Sequence, residues 1–177
     1  MRTLKVISLS SLLSLTFCFL PQAQAVIKTK SVSAIKTQTT ATIFIQSQVN
    51  PGTTVLYSCD GLESTAQNLL KKLGATNIST DCSGEGGASD RPSFSPTLIL
   101  NFTVPRLPGP GISGPALTAH WQNVTLSGFD DCEAVRQIVS GFKDQLSVQN
   151  FQGSLDDGAC FGTDSPYHYS LEVLVSQ

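Results

Sequence analysis

Two histidines, five cysteines and thirteen acids are the residues through which this chain could do chemistry. A Ser-His-Asp hydrolase would have to use His120 or His168 as its base, because a serine hydroxyl is a weak nucleophile until a neighbour takes its proton. Both histidines fall in stretches that read as strands beside polar positions. His168 shares its parity with Ser170 and Glu172, so exposed sheet positions are expected. The G-x-S-x-G elbow is absent, and Gly111-Ile112-Ser113-Gly114 lacks the spacing that lifts the serine. No H-E-x-x-H, Walker loop or dinucleotide fingerprint occurs either. No catalytic residue is assigned, and no cofactor is expected.

Metal chemistry fares little better. Zinc is disfavoured because no C-x-x-C pair exists and both histidines stand far from the cysteines. In Asp81-Cys82-Ser83-Gly84-Glu85-Gly86, oxygen-bearing side chains alternate as in a calcium loop, but the twelfth position is Pro92 instead of a bidentate Glu. Turn chemistry accounts for that stretch and for Asp156-Asp157-Gly158. A glycosidase pair could be drawn from many acids, yet Asp60, Glu63, Asp130 and Glu133 read as helix caps, and nothing singles out two others.

The cysteines point to a different use. Residues 1–25 have a basic start at Arg2 and Lys5, an apolar run from Val6 to Leu20, and a small-residue end at Ala23-Gln24-Ala25. That pattern predicts a secretory signal peptide cleaved after Ala25. The apolar run is 15 residues, against about 20 for a spanning helix. Bulky Phe17 before Cys18 argues against lipidation. Removing 25 of the 177 residues leaves 152, enough for one domain with its own core. Periplasm or secretion is the expected destination.

Four cysteines then remain, Cys59, Cys82, Cys132 and Cys160, and an oxidising compartment favours disulfides. Three pairings are possible. The one favoured by local structure is Cys59 with Cys82 and Cys132 with Cys160, since each pair brackets a predicted helix and the strand after it. The processed chain carries 9 basic and 13 acidic residues. It lacks the clustered basic face that phosphate neutralisation requires, so a nucleic-acid partner is not expected. No second apolar run reaches membrane-spanning length.

Stepping along the chain, residues 26–40 are polar, without a period, and read as a flexible lead-in to a domain over 41–177. Strand character appears at Ile43 to Ile45 and, after the Asn50-Pro51-Gly52 turn, from Thr53 to Cys59. Leu62, Ala66, Leu69, Leu70 and Leu73 lie on one helical face, closed by Gly74. Strands follow near 76–82, at 97–104 by clean alternation, and at 116–126 with Trp121. Val135, Ile138, Val139, Phe142 and Leu146 make the stripe of a second helix. A strand near 148–155 precedes a last one in which Tyr167, Tyr169, Leu171, Val173 and Val175 share a face.

Residues 53–104 and 116–175 thus repeat an order of strand, capped helix, strand, strand, each with two cysteines. The expected fold is α+β: a two-layer sandwich of a mainly antiparallel sheet with two helices on one face, a tandem βαββ pseudo-repeat and two disulfides. Between the halves, Pro105 to Pro115 holds four prolines, which limit the freedom lost on docking, and Arg106, Leu107 and Ile112 could face a partner. A stiff connection between strands is the plainer reading of that loop. The N-x-S/T triplets at Asn77, Asn101 and Asn123 are read as chance matches. The leading functional expectation is a non-enzymatic exported module binding a protein or other extracellular ligand. The alternatives are a small secreted hydrolase with a site built from distant residues, or an inhibitor of a secreted enzyme.

Overall fold

The computed structural model describes residues 31–47, 49–50, 53–84, 93–128, 131–155, 160 and 166–177. Residues 1–25, expected to be a signal peptide, and Glu85, Asp130, Asp156 and Asp157 lie outside these residues. In chain order the elements are β1 (Ser31–Phe44), β2 (Val49–Asn50), β3 (Thr53–Thr54), α1 (Cys59–Lys72), β4 (Thr76–Ser83), β5 (Thr97–Arg106), β6 (Ala116–Gly128), α2 (Cys132–Phe142), a 3-10 turn at Lys143–Gln145, β7 (Val148–Gln152) and β8 (Tyr167–Ser176). Six strands form one antiparallel sheet in the order β4-β5-β1-β6-β8-β7. The short β2 and β3 pair only with each other.

The largest correction concerns the lead-in. Residues 31–40, expected to lead into the domain without regular structure, open β1, a 14-residue strand at the centre of the sheet. Thr37, Thr39, Thr40 and Thr42 are β-branched and suit a pleated strand. Their polarity hid the strand, because one face of this sheet meets water. The strand expected over Thr53 to Cys59 shrinks to β3 and a lone bridge from Tyr57 to Ser93. The chain then runs β1-α1-β4-β5 and β6-α2-β7-β8. Read outward from the sheet centre, β1, β5, β4 mirrors β6, β8, β7.

Both helices start one or two residues away from the expected caps. Ser58 caps α1, its Oγ accepting from the Gly61 N–H at 3.3 Å, and Asp131 caps α2, accepting from Ala134 N–H at 3.0 Å. Glu63 does not cap; it accepts from the Thr80 hydroxyl on β4 at 3.0 Å. At the other end of α1, Gly74 N–H reaches the Lys71 carbonyl and Ala75 N–H the Leu70 carbonyl, with Gly74 at φ +77°. That is a Schellman closure, which needs a left-handed residue. A Cβ at Gly74 would stand 2.5 Å from Val175 Cγ1. Gly74→Ala should therefore cost about 2 kcal/mol or more from backbone strain and overpacking, read as a lowered urea midpoint at unchanged m.

The core lies between the helices and one sheet face. Leu62, Ala66, Leu69 and Leu70 from α1 and Val135, Ile138, Val139 and Phe142 from α2 are buried on it. Leu98, Leu100, Phe102 and Val104 meet them from β5, as the alternation predicts, and all five odd-numbered residues from Tyr167 to Val175 do so from β8. Phe142 packs edge-on against Phe102 at 6.4 Å between ring centres. The two disulfides are those expected. Cys59 and Cys132, each the first residue of its helix, bond to Cys82 and Cys160 with Cα separations of 5.4 and 5.6 Å. Among the described residues, no helix is long and apolar enough to cross a membrane.

Candidate functional site

The loop between β5 and β6 has a task that its sequence did not reveal. Ile35 of β1 pairs with Arg106 on one side and Ala116 on the other. Residues 107–115 therefore carry the chain across β1, from one of its edges to the other. The crossing is fastened at its base. Arg106 Nη2 donates to the Asp144 carbonyl at 3.3 Å, and Leu107 N–H donates to Ser147 Oγ at 3.0 Å. Lys36 N–H reaches the Pro115 carbonyl at 2.9 Å, and Ile112 N–H closes a turn on Gly109 at 3.1 Å. Gly114, at φ +146°, lies so close to β1 that a Cβ there would collide with the Lys36 carbonyl oxygen.

Fixed at its base, the loop still presents its tip. Residues 107–111 are exposed, and Leu107 shows 45% of its surface to solvent. The three residues singled out from sequence thus differ in role. Leu107 faces outward, Ile112 is half-buried, and Arg106 spends one guanidinium nitrogen on an internal carbonyl. Beside the base, a groove of about 320 Å³ is lined in part by Lys36, Thr103, Pro105, Leu117 and Gln177.

A second polar constellation surrounds the start of α2. Glu133, 6% exposed, accepts from Arg136 Nε at 2.8 Å and Nη2 at 2.5 Å, and from Gln137 Nε2 at 2.8 Å. Arg136 also holds the Leu155 carbonyl at 2.9 Å, while Gln137 exchanges two hydrogen bonds with the Gln46 backbone. The described partners are all internal, so the cluster fastens the segment after β1 and the segment after β7 to α2. The expected cap role of Glu133 is replaced by this ion pair. An i, i+3 Glu-Arg spacing was the available signal.

Tyr57 lies beside this cluster. Its hydroxyl approaches the Asp131 carboxylate without reaching good hydrogen-bond geometry. Burial first, then the charges of Asp131 and Glu133, push its acidity well below that of an ordinary phenol, and burial does the same for Tyr169. Both remain neutral phenols at physiological pH, unsuited to act as bases. Burial also raises the Asp131 pKa, outweighing the N–H groups of Ala134 and Glu133 that lower it. A raised carboxylate pKa means that the folded state binds its proton more tightly than the unfolded chain. Stability from this group thus grows as pH falls through its folded pKa and is complete below the unfolded value of about 3.9. Asp131→Asn keeps the capping oxygen, so it should be modestly more stable at pH 7 and lack this acid-side gain, as parallel urea titrations at several pH values would show.

The histidines do not assemble a catalytic group. His168 is exposed across from Ser127 on the outer sheet face, as its parity predicts. His120 is half-buried on the helix side beside Val175, and its Nδ1 has no hydrogen-bond partner. Among the described residues neither ring is hydrogen-bonded to a serine or a carboxylate, and no three His, Cys, Asp or Glu side chains cluster at metal-binding spacing. The chain matches no protein-family model, and comparisons with curated proteins and with solved structures found no match.

Proposed function

We propose that this is an exported, disulfide-stabilised binding module that docks a protein partner through the 106–115 loop, with Leu107 as the apolar anchor. The observation that supports this reading most is a loop fastened by hydrogen bonds at its base while its tip stays exposed. Binding usually loses free energy to loop ordering, about 0.5–1.5 kcal/mol per immobilised side chain, and a pre-fixed loop avoids much of that loss. Two disulfides suit a domain working outside the reducing cytosol. The destination follows from the pattern of residues 1–25.

The test uses the processed, disulfide-bonded domain on a solid support, exposed to periplasmic extract or culture fluid of the source cells. Arg106→Ala with Leu107→Ala should weaken capture of the retained protein about tenfold, the size expected for removing an interface anchor. Thermal unfolding of the variant checks that the fold is intact. Unchanged capture by a folded double variant would remove the loop from any binding role.

A further inference from the structure

The sheet face turned away from the helices carries a second surface. The buried residues Ala41, Ile43, Leu98, Leu100 and Phe102 belong to the helix side, so the residues between them point outward. On β1 these are Gln38, Thr40 and Thr42, which lie across from the buried Thr103, from Asn101 and from Ile99 of β5. Ser79, Asp81 and Ser83 of β4 extend the same rows outward. Phe44, beside Thr97, ends the patch and is 70% exposed, more than any other large apolar residue described.

The chemistry of this surface is narrow. Asp81 is its one charge among the residues just named, and hydroxyl and amide groups fill most of the rest. Neighbouring strands set these groups about 4.8 Å apart, and alternate residues along a strand about 6.8 Å apart. The Thr40 hydroxyl donates to Asn101 Oδ1 at 2.6 Å, so that bond leaves the amide N–H groups of the half-buried Asn101 as donors. An acidic polymer would find no cluster of cations here, and a basic one would find a single carboxylate. A neutral, hydroxyl-rich chain meets hydroxyl and amide groups in rows, with the exposed Phe44 ring at one end on which a sugar can stack.

We infer that the β4-β5-β1 outer face binds a neutral polysaccharide, with Phe44 as the stacking platform and the Thr40, Thr42 and Asn101 polar groups as its hydrogen-bonding rows. This surface is separate from the 106–115 loop, and either can fail without the other. The test is native affinity electrophoresis of the processed, disulfide-bonded protein through gels containing hydroxyethylcellulose, laminarin, dextran or galactomannan, with polygalacturonate as the acidic comparison. At least one neutral polymer should retard the protein. Phe44→Ala should raise the apparent Kd about tenfold, the loss of one stacking contact with its hydrogen-bond neighbours. Thr42→Lys, at an exposed position that tolerates the change, should do the same, while Leu107→Ala should leave retardation intact. Unaltered mobility in all four neutral gels would overturn the inference. So would retardation by polygalacturonate alone, or retardation indifferent to both face variants.

Discussion

A variant in which all four disulfide cysteines are replaced by alanine is expected to be largely unfolded at 37 °C. The two bridges span 23 and 28 residues. Loop-closure entropy at those lengths gives each about 3.5 kcal/mol, hence about 7 kcal/mol together, against a total of roughly 5–15 kcal/mol for an ordinary domain. The bridges fasten different helices to different segments, so their losses should nearly add. All four cysteines are also buried, at 2–8% exposure, and their truncation leaves space behind. Urea unfolding of the two paired variants, Cys59→Ala with Cys82→Ala and Cys132→Ala with Cys160→Ala, should show losses of about 3.5 kcal/mol or more each. Far-UV circular dichroism of the fourfold variant should show loss of the native spectrum.

The second large effect belongs to Arg136. Its fork supplies two of the three hydrogen bonds that hold the buried Glu133 carboxylate, and side-chain exposures of 12% and 8% leave the pair little water. Removing one partner from a buried pair strands the other charge, a change that costs about 3–5 kcal/mol. Arg136→Ala should fall at the lower end, near 3 kcal/mol, because Gln137 still donates to Glu133. Adding Glu133→Gln to Arg136→Ala should recover a substantial part of the loss, since no charge is then left behind. Equal stability of the single and double variants in urea titration would show that stranded charge is not what Arg136 prevents.

What the sequence disclosed depended on how far each signal reached along the chain. The helices were legible because their apolar stripes are local, and so was β8, whose five inward residues alternate without a break. The disulfide pairs were legible because each joins a helix start to a segment soon after it. In contrast, β1 was hidden: its inner face carries Thr37 and Thr39, its outer face carries the polar run Lys36, Gln38, Thr40 and Thr42, and its partners β5 and β6 lie some 60 to 90 residues away in the pairs Thr40–Asn101 and Ser31–His120. The cap positions slipped because Ser58 and Asp131 compete with neighbours of equal capping chemistry, and only the packed backbone chooses between them. The 106–115 loop was recognisable from its prolines and glycines. That it must cross β1 was not, since the crossing follows from long-range pairing on both sides of Ile35. The outer polar face was invisible for the same reason, as its rows exist only once three strands are in register.

The proposal of an exported domain with one staple on each helix is tested most directly by mass analysis of the protein recovered outside the cytosol of its source cells. Unreduced, the mature chain should begin at Val26 and weigh four hydrogens less than its thiol form, and digestion should release linked peptides joining Cys59 to Cys82 and Cys132 to Cys160. A chain retained inside with Met1 in place, free thiols in the exported protein, or peptides crossing Cys59 or Cys82 to Cys132 or Cys160 would contradict it.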